Sequence, residues 1–222
     1  MNADTKKEIA DFQASRIPVT LLIGVTGHRK LEKEDLIRNS VRTELKELKG
    51  MLSKLFPDSP HILISISPLA EGSDRLVSHE VLHMKGTDKN SESFLEAVFP
   101  MPEQLYVQDF TAPGSVEDFN YLKGKARMIK TLDYTGNRDE SFENVGRNIV
   151  HSCDVLFVIW NGKKAGGRGG TSEIFDYAKK VGCSYIWINS ETGTVQEKLI
   201  DHERLITPLK TLDAYSELPP YE

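Results

Sequence analysis

Basic excess, cysteine and long apolar runs are all scarce in this chain, and each scarcity removes a class of function. Against 28 lysines and arginines stand 33 aspartates and glutamates, a formal net charge of -5, and the pI is near 5.7. A sequence-independent grip on nucleic acid needs a basic face that displaces counterions, so nucleic acid is not expected as a partner. A local basic pocket for one small phosphate stays open. The two cysteines, Cys153 and Cys183, fall beside or inside apolar stretches and read as core thiols, not as a disulfide or metal framework. No apolar run approaches the roughly 20 residues of a membrane-spanning helix. The polar residues 1–18 lack the apolar core of a signal peptide, so a cytoplasmic protein with no membrane partner is expected. Six histidines include one i, i+4 pair, His79 and His83, with Glu80 between them. A partly exposed helix face accounts for that pair, and neither a metal nor a cofactor is expected.

At 222 residues, 39% of them hydrophobic and 27% charged, the chain has the material for one sizeable α/β core. Its densest glycine cluster follows its most strand-like run. Val155 to Trp160 are all apolar, as suits a parallel strand buried on both faces. A loop with Gly166, Gly167, Gly169 and Gly170 comes next. Thr171 and Ser172 are then natural N-caps for a helix over Glu173 to Val181, where Ile174, Tyr177, Ala178 and Val181 recur at helical spacing. Strand, glycine loop and helix start is the build of an anion site: glycines let a phosphate reach the backbone, and the first N–H groups of the helix point towards it. A plain βα turn that binds nothing has the same pattern.

The rest of the chain keeps the alternation. The polar extension 1–18 holds a short helical pattern around Lys6 to Gln13. Strand Val19 to Val25 ends in Gly24-Val-Thr-Gly-His-Arg29, where a glycine pair around Thr26 permits a sharp turn and close passage to a ligand. His28 and Arg29 carry donors into that space. Glu34 to Leu55 is a long amphipathic helix. Strand His61 to Ile66 delivers Glu71, Gly72, Ser73, Asp74 and Arg75. Glu71 and Arg75 either face a ligand's ribose and phosphate or brace their own loop, and Asp74 reads as a brace. Gly86 to Ser93 reads as a loop, Phe94 to Phe99 as a third strand, and about 100–150 as a helical insertion. Its helices cover Ser115 to Ile129 and Ser141 to Val150, with a loop from Leu132 to Glu140 between them. Ser184 to Asn189 is a fifth strand. Residues 190–222 form a C-terminal extension packed on the same domain, in which Leu199 to Leu212 has neither a helical nor a strand pattern.

Strands alternating with helices predict a Rossmann-like, doubly wound α/β fold over 19–189, its mainly parallel sheet holding five or more strands in the order 3-2-1-4-5. Ligands of such sheets bind at the carboxyl edge where the strand order reverses. Here that crevice lies between the first strand and Val155 to Trp160. Both glycine loops meet there, and the loop with Arg75 is next door. Three weak motifs thus converge on a small nucleotide-like ligand held by Gly24, Thr26, Gly27, His28, Arg29, Glu71, Gly72, Arg75, Trp160, Gly167, Gly169, Gly170 and Thr171.

Four stretches taken together resemble the SLOG superfamily: Gly-Val-Thr-Gly-His-Arg (24–29), Leu-Ala-Glu-Gly-Ser-Asp-Arg-Leu-Val (69–77), Val-Phe-Pro-Met-Pro-Glu-Gln-Leu-Tyr-Val-Gln-Asp-Phe (98–110), and Cys-Asp-Val-Leu-Phe-Val-Ile-Trp-Asn-Gly with Gly-Arg-Gly-Gly-Thr (153–171). That group of Rossmann-like domains includes the DNA-processing protein DprA, the cytokinin-activating LOG enzymes and nucleotide-sensing domains found beside TIR and Sir2 modules. The resemblance spans 19–189 and implies a pocket for a nucleotide or a derivative such as an ADP-ribose species, with the Gly-Gly-Thr loop on phosphate. The LOG catalytic pattern is Pro-Gly-Gly-x-Gly-Thr-x-x-Glu. This chain has Gly-Gly-Arg-Gly-Gly-Thr-Ser-Glu, with no proline, an extra glycine and Glu173 one residue early. The same shift separates it from the Gly-Thr-x-x-Glu of nucleoside deoxyribosyltransferases. One residue on a helix turns a side chain by about 100°, which leaves Glu173 as a displaced candidate for catalysis. The sensor-type members are the nearer likeness. The resemblance therefore implies a ligand-sensing module, working as a homo-oligomer or through a separately encoded effector partner. The alternative is an N-glycosidic bond enzyme in which a carboxylate stabilises or attacks a ribosyl cation.

Overall fold

The computed structural model describes residues 18–57, 59–85, 91–164 and 169–202. The helical pattern at Lys6 to Gln13, residues 86–90 of the expected loop, Gly166, Gly167 and the tail beyond His202 lie outside them. In chain order the elements are β1 (Val19–Gly27), α1 (Glu34–Leu55), β2 (His61–Ser67), α2 (Ser73–His83), β3 (Ser91–Phe99), α3 (Glu103–Tyr106) running into a 3-10 turn (Val107–Asp109), α4 (Ser115–Lys125), β4 (Met128–Thr131), α5 (Arg138–Ser152), β5 (Val155–Trp160), α6 (Thr171–Lys180), β6 (Ser184–Asn189) and β7 (Val195–Leu199). They build one seven-stranded sheet in the order β4-β3-β2-β1-β5-β6-β7. Every adjacent pair is parallel except the last, β6 with β7. The architecture is Rossmann-like, and the expected 3-2-1-4-5 order is its centre, β3-β2-β1-β5-β6.

The continuous apolar runs of β1 and β5 are explained by helices on both faces. Val155, Phe157 and Ile159 of β5 join Leu21, Ile23 and Val25 of β1 under Ile37, Val41 and Leu45 of α1 and Val77 and Val81 of α2. Leu156 and Val158 point the other way, against Val145 and Ile149 of α5 and Ile174, Phe175 and Ala178 of α6. Alternation within the strand therefore sorts residues between two cores and not between core and water. A third cluster extends the structure along β3, where Leu95, Ala97 and Phe99 meet Tyr106, Phe119 and Leu122. No helix among the described residues is long and apolar enough to cross a membrane.

Several boundaries differ from the sequence expectation, among them the start of α5 at Arg138, inside the expected loop. The segment 100–150 is not wholly helical: α4 stops at Lys125 and Met128–Thr131 pairs with β3 as an edge strand. The C-terminal extension supplies a second edge, β7, which folds back on β6. β3 begins at Ser91, inside the expected loop, because its register with β2 runs from His61↔Ser91. Thr171 and Ser172 are not caps. α6 already includes Thr171, and Gly170 takes the N-cap position at φ -72 and ψ 162.

Candidate functional site in the crevice between β1 and β5

β1 is followed in the sheet by β2 on one side and β5 on the other, and at the carboxyl ends of β1 and β5 a cavity of about 330 Å³ opens. That is within the roughly 300–1,000 Å³ range of small-molecule sites. Four parts of the chain line it: the β1 exit through Arg29, the start of α2, α3 with α5, and the end of β5 with the start of α6.

The β1 exit is shaped by two glycines. A Cβ on Gly27 would lie 2.6 Å from Ser73 Cβ and 2.7 Å from the Ile159 carbonyl oxygen. Without it the start of α2 locks onto the turn, Ser73 donating to the His28 carbonyl from its N–H at 3.1 Å and from its hydroxyl at 2.8 Å. Gly72, at φ +77, passes directly beneath the His28 and Arg29 carbonyls, where no side chain fits. The His28 ring accepts the Asn161 N–H on Nε2 at 3.3 Å. The neutral ring thus keeps its proton on Nδ1 and ties the β1 loop to the β5 loop. Arg29 is exposed, with its guanidinium over the Phe142 ring at 5.0 Å from the centroid. It makes no salt bridge among the described residues.

The start of α6 forms the opposite wall. Gly169 adopts φ +77 and its Cα faces α5 so closely that a Cβ would sit 2.6 Å from the Glu143 nitrogen. Gly170 and Thr171 line the cavity, and the helix has no side-chain cap at Gly170. Its first N–H groups have no partner within the helix. Glu173 reaches back and accepts the Gly169 N–H at 2.8 Å, so this carboxylate holds the glycine turn and does not line the cavity. Trp160 does line it; the indole N–H is bound to the Lys163 carbonyl at 2.9 Å, and the ring stands 5.4 Å from that of Trp187.

Asp74 is the residue that reading the sequence undervalued. Its expected bracing role is real, since it accepts the Ala70 N–H at 3.2 Å. It also lines the cavity while only 7% exposed. Burial pushes its carboxyl up to about 7, against the pull of the Ala70 N–H and of the Arg29 and Arg75 charges. Phe142, Val145 and Gly146 of α5 and Tyr106 of α3 were missed altogether. Gly146 carried a signal: a glycine inside a helix marks close approach, and a Cβ there would meet Ile174 Cδ1 at 2.5 Å.

The remaining expected residues lie elsewhere. Gly24 is an interior packing position, where a Cβ would be 2.7 Å from Cys153 Sγ and 2.8 Å from Ile149 Cγ2. Gly167 lies outside the described residues. Glu71, Gly72 and Arg75 line a second cavity on the other side of the Gly27 to Arg29 turn. Arg75 is buried there as a brace from α2 to α4. Its Nε donates to the Leu69 carbonyl at 2.9 Å, its Nη1 to the Ser115 carbonyl and hydroxyl at 2.7 and 2.8 Å, and Phe110 covers the guanidinium. Glu71 accepts the N–H groups of Thr111 at 2.8 Å and Ala112 at 2.9 Å. Its partial burial, which alone would raise the carboxyl, is outweighed by these bonds, the Ser115 hydroxyl and the Arg75 charge, which hold it below its ordinary value. Among the described residues no group of three or more His, Cys, Asp or Glu side chains is placed to hold a metal ion.

No protein-family model and no curated protein matches the chain. The functional reading accordingly rests on the cavity: an open helix start, the exposed Arg29, a buried carboxyl and aromatic walls, all at the topological switch point of a doubly wound sheet.

Proposed function

We propose that this chain binds a nucleotide or nucleotide derivative of the AMP or ADP-ribose type in the cavity between β1 and β5, as a ligand-sensing module of the SLOG kind. One observation carries the reading: the glycine-turned start of α6, Arg29 and Asp74 line the same cavity. A phosphate on the Gly170 and Thr171 backbone receives N–H groups and the positive end of the helix. Arg29 adds a charge-assisted bond. Asp74 accepts sugar hydroxyls from below, and Trp160 and Phe142 offer flat apolar surface to a base. Occupancy is then passed on through a second copy of the chain or a separate effector protein.

A second reading, cleavage of an N-glycosidic bond, is favoured by Asp74 and not by Glu173. A carboxyl poised near 7 inside a cavity suits proton transfer to a departing base. Release of free base from AMP or NAD, lost in Asp74→Asn while binding persists, would move the protein into that class.

Thermal unfolding with a panel of AMP, ADP-ribose, NAD and cyclic nucleotides tests the binding reading. At 100 times the dissociation constant a ligand adds about 2.7 kcal/mol, a shift of a few degrees for a domain of this size. Gly170 has backbone angles open to any residue, so Gly170→Val folds and removes the shift by blocking the approach to the helix start. Shifts that persist unchanged in Gly170→Val, or no shift with any ligand, reduce the loop to a turn.

A further inference from the structure

Two buried polar side chains line the first cavity, Asp74 at 7% and Tyr106 at 1% exposure. Each keeps one polar atom without a partner. Asp74 accepts the Ala70 N–H on Oδ2 at 3.2 Å, and its Oδ1 accepts from no group among the described residues. The Tyr106 ring is wedged among Phe99, Phe110, Phe119 and Phe142, at centroid distances of 6.0, 5.0, 6.2 and 6.4 Å. Its hydroxyl makes no hydrogen bond among the described residues. Neither atom is sealed in. The described side-chain atoms with neither a partner nor accessible surface are Arg75 Nη2, Ser91 Oγ and Asp109 Oδ2. Asp74 Oδ1 and the Tyr106 hydroxyl are not among them, and the space that both residues border is the cavity. Burial, followed by the Asp74 charge, pushes the phenol above its ordinary value, so it stays a neutral O–H donor. A donor and an acceptor almost withdrawn from water are costly to leave unmatched unless a ligand completes them.

We infer that Asp74 and Tyr106 together read the two neighbouring hydroxyls of a ribose, so that the cavity takes ribonucleotides and rejects deoxyribonucleotides; this rests on the nucleotide reading of the cavity. The chemistry matches group by group. An ionised carboxylate oxygen only accepts, and a neutral phenol donates. Neighbouring sugar hydroxyls answer both, one donating to Asp74 Oδ1 and the other accepting from Tyr106. The Arg29 charge acts on both groups. They therefore lie near the side chain assigned to the phosphate, and ribose is the part of a nucleotide joined to that phosphate. The flat faces of Trp160 and Phe142 are left to the base. A deoxy sugar leaves one of the two nearly buried groups unmatched, and a site built to bond a hydroxyl rejects the analogue that lacks it.

The test is calorimetric titration of the full chain at pH 8 with AMP, 2′-deoxy-AMP and 3′-deoxy-AMP, on wild type and Tyr106→Phe. Asp74, pushed up to about 7, is mostly ionised at that pH. Wild type is expected to bind AMP about tenfold or more tightly than at least one of the deoxy analogues. In Tyr106→Phe the AMP affinity falls about tenfold, and the advantage over the analogue lacking the Tyr106 partner shrinks to about threefold or less. Phenylalanine keeps the ring packing and breaks no hydrogen bond within the described fold, so urea unfolding of the free variant matches or exceeds wild type. A marked loss of stability would make the hydroxyl structural and overturn the inference. Equal affinity of wild type for AMP and both analogues overturns it too, as does a ribose preference unchanged in Tyr106→Phe; either result leaves the nucleotide reading standing. No saturable binding of any of the three ligands refutes the nucleotide reading itself, and this inference with it.

Discussion

Replacing Asp74 by asparagine makes the protein more stable at neutral pH and removes a pH dependence that the native fold carries. Asp74 is buried at 7% exposure and titrates near 7 instead of at the ordinary 3.8. Because the folded value is raised, the native state holds a proton that the unfolded chain has already lost between pH 4 and 7. Stability contributed by this group therefore falls as pH rises through that window and levels off above it. Three pKa units at 1.36 kcal/mol each give a loss of about 4 kcal/mol between pH 4 and pH 8, a large share of the roughly 5–15 kcal/mol that holds a domain together. Asparagine keeps an oxygen for the Ala70 N–H and has no charge to desolvate. Urea unfolding of both proteins at half-unit steps of pH gives the difference curve, in which the titrations of all other carboxylates cancel. That difference should be small near pH 4 and grow to several kcal/mol in favour of the variant by pH 8. A flat difference would show that the Asp74 carboxyl titrates normally and would remove it as the proton donor of the enzymatic reading.

Gly24→Ala should cost about 1–3 kcal/mol by overpacking against Cys153 and Ile149 while leaving AMP affinity intact; denaturant unfolding in a Cys153→Ala background should show part of the cost relieved as a non-additive term. Gly27→Ala places a methyl group into Ser73 and the Ile159 carbonyl, so calorimetry should find nucleotide binding lost along with some stability. Glu173→Gln keeps an acceptor for the Gly169 N–H but loses the charge at a helix start, worth about 0.3–1 kcal/mol by chemical unfolding; release of free base from AMP by the native protein, lost in this variant with its fold intact, would make Glu173 a catalytic residue.

The central strands were readable because burial on both faces leaves an unambiguous mark. Every residue of Val155 to Trp160 is apolar, and the structure divides them between the α1/α2 and α5/α6 cores. The edge strands left no such mark. All four residues of β4 and all five of β7 are exposed, and Met128–Thr131 continues the helical spacing of Val116, Phe119 and Leu122. What makes it a strand is pairing with β3, together with the extended backbone of Ala126 that ends α4. β7 depends on a turn in which Asn189 accepts the N–H groups of Glu191 and Thr192 and Gly193 takes φ +72. The glycine turns pointed to the crevice because glycine speaks about backbone. The same pattern did not distinguish Gly27, pressed on Ser73, from Gly24, pressed on Cys153. How Asp74 and Arg75 divide between the two cavities was not legible for a related reason. Adjacent residues on a helix point about 100° apart, so one faces the first cavity and the other the second, and only the placement of α2 decides which.

The central claim is that a nucleotide sits where the β1 turn meets the start of α6, and an amide-resolved NMR titration with AMP and ADP-ribose tests it most directly. The account predicts saturable shifts centred on Gly27, Arg29, Gly170 and Thr171 and on the indole N–H of Trp160, with the amides of β7 unmoved. No saturable shift at millimolar ligand, or shifts centred away from both loops, would contradict it.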